Sequence, residues 1–168
     1  MAAASLALRR LDYDETAMTS PAFTPVDDDL YREIILDHYR NPRRKRAVIP
    51  ADRTVAANNP LCGDEIDLTL RLIDGVVADI GFEGRGCSIS QASASMLCDA
   101  VSGLETASAA QLAHEFRSMM QGEPRGADLG DLEALAGVRA YPVRVKCATL
   151  AWNALLEALG EPGEAARG

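Results

Sequence analysis

Four cysteines and one aspartate are the residues here whose types and spacing can do chemistry. Cys62 and Asp64 share a turn, Asn59-Pro60-Leu61-Cys62-Gly63-Asp64, with only Gly63 between them. That pair offers one soft and one hard ligand to a common centre. Cys87 follows the loop Gly84-Arg85-Gly86 and opens a predicted helix, and Cys147 falls in the expected first turn of another. Free amide N–H groups and the helix dipole favour a thiolate at both places. Thiolate is the form of cysteine that binds metal or attacks sulfur. Cys62, Asp64, Cys87 and Cys147 therefore make four candidate ligands for a tetrahedral divalent ion, and zinc suits so soft a set. Arg85, Arg144 and Lys146 stand beside these ligands in sequence and would offset their negative charge. The spacings match no zinc-finger pattern. From metal chemistry alone, three half-buried cysteines acting as small hydrophobes remain the alternative.

The other candidates carry less. Cys98 lies 11 positions after Cys87 on nearly the same helix face, about 16 Å further along at 1.5 Å per residue. One ion cannot take both, so Cys98 is expected to be a packed or partly exposed bystander. His38 falls inside an apolar arc and is expected as a core or interface histidine, while His114, beside Glu115 and Arg117, is expected on the solvated side. There is no CxxC pair, no Cys/His dyad, no glycine-rich phosphate loop and no paired-carboxylate pattern.

Elements able to position such a site can be read from composition and periodicity. The chain has 168 residues, 48% hydrophobic and 25% charged, which fits one globular domain. No apolar run approaches the roughly 18 residues needed to span a bilayer. A formal charge of −8 and only 5% aromatics argue against a nucleic-acid partner. Four cysteines are too few for a secreted disulfide framework. Arg9 and Arg10 interrupt the apolar start and acidic residues follow, which argues against a signal peptide. The expectation is a reduced, cytoplasmic protein with free thiols and no membrane partner.

Residues 1–27 lack sustained periodicity and are expected to be a disordered extension; 28–160 are expected to form a single domain, and 161–168 a disordered tail. A helix is predicted over 30–41, beginning near Asp27-Asp28-Asp29, with Leu30, Tyr31, Ile34, Ile35, His38 and Tyr39 on one arc and Asn41-Pro42 as its stop. Arg43–Arg46 then reads as a solvated basic run. From 53 to 83 the period is two. Asp74-Gly75 signals a type I′ hairpin between strands, and Thr54–Asn58 a third strand. Helices are predicted over 89–102, over 108–121 capped by Ser108, over 129–136, and over 145–159 with Thr149, Asn153 and Glu157 as a narrow polar stripe. Strands first and helices after them indicate an α+β domain, a small antiparallel three-stranded sheet packed against helices.

Four stretches of this chain resemble the U-type iron–sulfur cluster assembly proteins, the IscU and NifU N-terminal-like family. They are Leu30-Tyr31 with Asp37-His38-Tyr39-Arg40-Asn41-Pro42-Arg43, then Asn59–Asp64, then Gly84-Arg85-Gly86-Cys87-Ser88-Ile89-Ser90, then Arg144-Val145-Lys146-Cys147-Ala148-Thr149-Leu150. The match covers about residues 28–160 in the right order and implies a SufE/IscU-like fold. Two details favour the SufU branch: Lys146 stands where IscU proteins have a His before the last cysteine, and Gly122–Ala136 looks like the SufU insertion. Tyr141-Pro142-Val143-Arg144-Val145 stands in place of the IscU chaperone-recognition segment, a departure that argues against a dedicated Hsp70 partner.

What the resemblance implies is a zinc-dependent sulfur-transfer protein. Cys62, Asp64, Cys87 and Cys147 would hold Zn²⁺, with Arg85, Arg144 and Lys146 balancing charge. A SufS-type cysteine desulfurase would supply persulfide sulfur, and a downstream iron–sulfur scaffold would receive it. Cys62, on a loop rather than a helix, would be the sulfur acceptor, and Cys87 and Cys147 the anchors. The alternative is a scaffold that assembles a [2Fe–2S] cluster on the three cysteines with Asp64. A third reading is a zinc-stabilised interaction domain without transfer chemistry.

Overall fold

The computed structural model describes residues 25–124 and 126–160. The expectations for 1–24 and 161–168 lie outside the described residues. In chain order the elements are α1 (Pro25–Arg40), β1 (Arg53–Asn59), β2 (Asp64–Ile73), β3 (Val76–Arg85), α2 (Ser88–Val101), α3 (Thr106–Met120), a 3₁₀ run (Gly130–Ala140) and α4 (Pro142–Ala158). The strands form one antiparallel sheet in the order β1-β2-β3, as the alternating pattern predicts. Asp74 and Gly75 both have positive φ, 50° and 75°, which is the type I′ turn of the hairpin. Ile73 accordingly pairs with Val76, and a bulge follows at Arg71/Leu72.

One sheet face presents Ile66, Leu68, Leu70, Val77, Ile80 and Phe82, all wholly buried under the helices. Helix α2 is the centre of the helical layer, buried continuously from Ser90 to Cys98. Its Ala and Ser side chains permit that close approach, and the hydroxyls that come with them find partners. Ser93 Oγ donates to the Ala148 carbonyl at 2.6 Å and accepts from Trp152 Nε1 at 3.0 Å. Trp152 in turn stacks on Phe116, ring centroids 4.3 Å apart, tying α4 to α3.

Several boundaries differ from expectation. Helix α3 begins at Thr106, not at a Ser108 cap, and Glu105 is its N-cap without a side-chain bond. The start is set by tertiary pairing: Glu105 bridges to Val76 and Thr106 N donates to the Gly75 carbonyl. The short helix expected at 129–136 is the longer 3₁₀ run. On α1, Leu30 and Tyr39 are exposed although the apolar arc includes them, while His38 is buried.

Arg43–Arg46 is not a free solvated run. Arg43 pairs with Asp37 at 2.6 Å, and Arg44 and Arg46 both pair with Asp79 on β3, at 3.0 and 2.8 Å. The Arg44 carbonyl accepts Phe82 N, and Val48 N donates to Thr69 Oγ1. The segment is thus a strap across the face of the sheet opposite the helices. A Cβ on Gly81 would collide with the Arg46 carbonyl, so only glycine lets the strap lie this close.

Candidate metal centre

Three segments converge at one end of the sheet: the β1–β2 turn, the β3–α2 junction and the second turn of α4. The turn is local chemistry. Cys62 N and Gly63 N both donate to the Asn59 carbonyl, at 3.2 and 2.9 Å, and Gly63 has a φ of 70° that favours glycine. This turns Cys62 and Asp64 to the same side, as their spacing predicts. Asp64 is wholly buried, and its Oδ1 accepts a 2.8 Å hydrogen bond from Cys87 N. A Cβ on Gly86 would run into Asp64 Oδ1 and Ser90 Oγ, so that glycine gives the carboxylate its seat.

Cys87 is the N-cap of α2, as predicted, and its Sγ accepts a hydrogen bond from Ser90 N at 3.5 Å. Cys147 departs from expectation. Helix α4 starts at Pro142, with proline at N1, so Cys147 is its sixth residue and has no free helix-end amide. The chain supplies a side-chain donor instead: Asn59 Nδ2 donates to Cys147 Sγ at 3.5 Å. Asn59 has no ligand chemistry of its own to mark it in the sequence. Its position three residues before Cys62 was the available signal.

The donor atoms of Cys62, Asp64 and Cys147 lie within 4.8 Å of one another, and those residues are half-buried or buried. Cys62 and Cys147 bring their sulfurs to 3.2 Å. Cys87 Sγ lies at the edge of this group, 3.9 Å from Asp64 Oδ2. The set suits a metal ion with soft thiolate and hard carboxylate preferences combined. Burial, then contact with Asp64 and Cys62, pushes the Cys147 thiol pKa up, the reverse of a helix-start thiolate. A cation in the group would reverse that, since a coordinating thiol is deprotonated.

The predicted charge-balancing residues are placed differently from one another. Arg85 turns to Glu65, Nε to Oε2 3.1 Å. Arg144 and Lys146 are exposed on the first two turns of α4. Cys98 is fully buried away from the group, and burial pushes its pKa up to about 12. His38 Nδ1 lies 2.8 Å from Ser95 Oγ, which also accepts from Arg43 N at 2.8 Å. Buried against Ser95, His38 is a core group, as expected, and lies outside the thiol–carboxylate group.

Exposed apolar residues neighbour the cysteines of the group in the chain. Leu61, Tyr141 and Val143 are 66%, 65% and 53% exposed, and they flank Cys62 and Cys147 in the chain. A groove of about 680 Å³ is lined among others by Tyr31, Ile35, Ile89, Tyr141 and Arg144. No helix among the described residues is long and apolar enough to cross a membrane.

Comparison with known proteins agrees with this geometry. The family model described as the NifU-like N terminal domain matches residues 30–160. The chain is 51% identical over 130 residues to the zinc-dependent sulfurtransferase SufU of Bacillus subtilis, covering 76% of this chain and 88% of that one. It is 45% identical over 132 residues to the iron–sulfur cluster assembly scaffold protein IscU of Streptococcus pyogenes, covering 77% and 82%. A crystal structure from Fervidobacterium islandicum, described as an iron–sulfur cluster assembly scaffold for the SUF system, superposes with a TM-score of 0.73 at 30% identity, over 76% of this chain and 94% of that one. With the fold, the order of its motifs and its thiol–carboxylate group all in agreement, the chain belongs to the NifU-like N-terminal domain family.

Proposed function

We propose that this chain is a zinc-dependent sulfur-transfer protein of iron–sulfur cluster assembly, with Cys62 as the sulfur acceptor. The observation that carries this reading is the Cys62–Asp64–Cys147 group with Cys87 at its edge, in a chain 51% identical over 130 residues to a zinc-dependent sulfurtransferase. Cys62, Asp64, Cys87 and Cys147 would hold the ion. Bound Zn²⁺ keeps thiols deprotonated and supplies no redox chemistry. Residues 28–160 act as one folded unit in this reading, in a reducing cytoplasm.

Cys62 is the half-buried sulfur on a turn, and an attacking thiolate needs access. It attacks the terminal sulfur of a persulfide carried by a cysteine desulfurase. The bond between that sulfur and the desulfurase cysteine breaks, and the desulfurase cysteine leaves as thiolate. Cys62 then carries the persulfide, with no net oxidation. Leu61, Tyr141 and Val143 form the apolar rim on which the desulfurase docks, while Arg144 and Lys146 lend positive charge. A downstream scaffold receives the sulfur.

Metal and sulfide analysis of the protein as purified anaerobically tests this. About one zinc per chain and no visible chromophore is the expected result. Iron with matching sulfide and a coloured protein would instead support the second reading, a scaffold for a [2Fe–2S] cluster, which the 45% identity to an IscU scaffold favours.

A further inference from the structure

The three sulfurs of the group are not equivalent: they differ in burial and in the N–H donors they meet, and Asn59 supplies one of those donors. Asn59 is only 5% exposed, and both ends of its side-chain amide are used. Oδ1 accepts from Leu61 N at 3.2 Å, which fixes the amide orientation and aims Nδ2 at Cys147 Sγ, 3.5 Å away. The backbone carbonyl of the same residue holds Cys62 N and Gly63 N. Cys87 Sγ likewise accepts an N–H, that of Ser90. Among the described residues, Cys62 Sγ has no N–H donor; its contact is the Cys147 sulfur. A hydrogen bond to a thiolate stabilises its charge, and nucleophilicity falls as the basicity of the sulfur falls. Two of the three sulfurs are thereby quieted and the third is not.

We propose that Asn59 is a positioning residue for sulfur transfer: its amide N–H quiets Cys147, so that Cys62 is the sulfur of the pair that meets an electrophile. The inference rests on the metal-centre reading above and adds to it the device that selects among the cysteines. Partners of this kind around a metal ligand tune its basicity and orientation.

The test uses the full chain loaded with Co²⁺ and three variants. Asn59→Asp keeps an acceptor for Leu61 N and loses the donor; Asn59→Ser keeps an acceptor and, with a hydroxyl one bond shorter than Nδ2, withdraws the donor from Cys147 without adding charge; Asn59→Ala loses both. Two readouts are taken: the energy of the sulfur-to-cobalt charge-transfer bands, and the ratio of Cys147 to Cys62 modified by methyl methanethiosulfonate. All three variants are expected to move the bands to lower energy. The Cys147:Cys62 ratio should rise about tenfold, the size expected for one hydrogen bond to a charged group. If Asn59→Asp and Asn59→Ser match wild type on both readouts while Asn59→Ala differs, Asn59 only shapes the turn and the proposal is overturned. A wild-type chain that shows no sulfur-to-cobalt band would overturn the metal-centre reading itself, and this inference with it.

Discussion

At the scale of single residues, burial decides which titratable groups are chemistry and which are structure. His38 is the clearest case of structure. Burial, and then Arg43, hold its imidazole below the usual 6.5, so the folded protein keeps it neutral. An unfolded chain takes up a proton near pH 6.5 where the folded one does not. Stability from this group is therefore full above that pH and is lost as pH falls toward the lowered folded value. Urea midpoints at pH 7.5 and 5.5 should drop further for wild type than for His38→Gln. Equal drops would mean that His38 is not held neutral. Asp37 and Asp79, whose pKa values their arginine partners lower, titrate below this window.

Gln91 marks the opposite situation, a buried amide with neither polar atom paired among the described residues. Removing both atoms while keeping the volume relieves desolvation. Gln91→Met is expected to be neutral or to stabilise by about 1 kcal/mol. Denaturant melts check this, and a loss of more than that would show that the amide has partners.

At the scale of elements, the site depends on how a junction is built more than on helix content. Gly86 lets Asp64 reach Cys87 N at the mouth of α2. Gly86→Ala is predicted to displace the Asp64 carboxylate and weaken metal binding by about 10–100-fold, the usual cost of disturbing the support of a ligand. Competition with a chromophoric chelator measures it; unchanged affinity would place Asp64 outside the metal's support.

Local features of this architecture were legible from sequence. Asp74-Gly75 gave the hairpin because both residues tolerate positive φ, and Cys62-Gly63-Asp64 bends for the same reason. Long-range features were not. Asn59 and Cys147 are 88 positions apart, and no local pattern links them. Pro142 reads equally as a break or as a helix start, and as the start it puts Cys147 in the second turn rather than the first. The basic strap looked solvated because its partner, Asp79, is 33 to 35 positions away. Ser108 had cap chemistry, but the pairing of Glu105 with Val76 began the helix earlier.

At the scale of the molecule, the candidate metal centre lies at one end of the sheet, while the hydrophobic core draws on the sheet, α2, α3, the 3₁₀ run and α4. Phe116, Trp152, Leu135 and Leu155 are wholly buried within α3, the 3₁₀ run and α4. Chelation should therefore loosen one end only. Amide exchange is expected to rise at 59–64 and 86–90, with the β2–β3 ladder still protected. Uniform loss of protection would mean that metal binding and folding are a single transition.

The proposed carrier reading puts the accepting thiol of Cys62 on a turn beside exposed Leu61, with exposed Tyr141 and Val143 shortly before Cys147 in the chain. The most direct measurement is peptide mass mapping after the zinc-loaded chain is incubated anaerobically with cysteine and a cysteine desulfurase. One added sulfur atom on the Cys62 peptide, absent in Cys62→Ser with its zinc retained, is the predicted result. Sulfur on Cys87 or Cys147 instead, or none on any cysteine while the desulfurase turns over, would contradict the account.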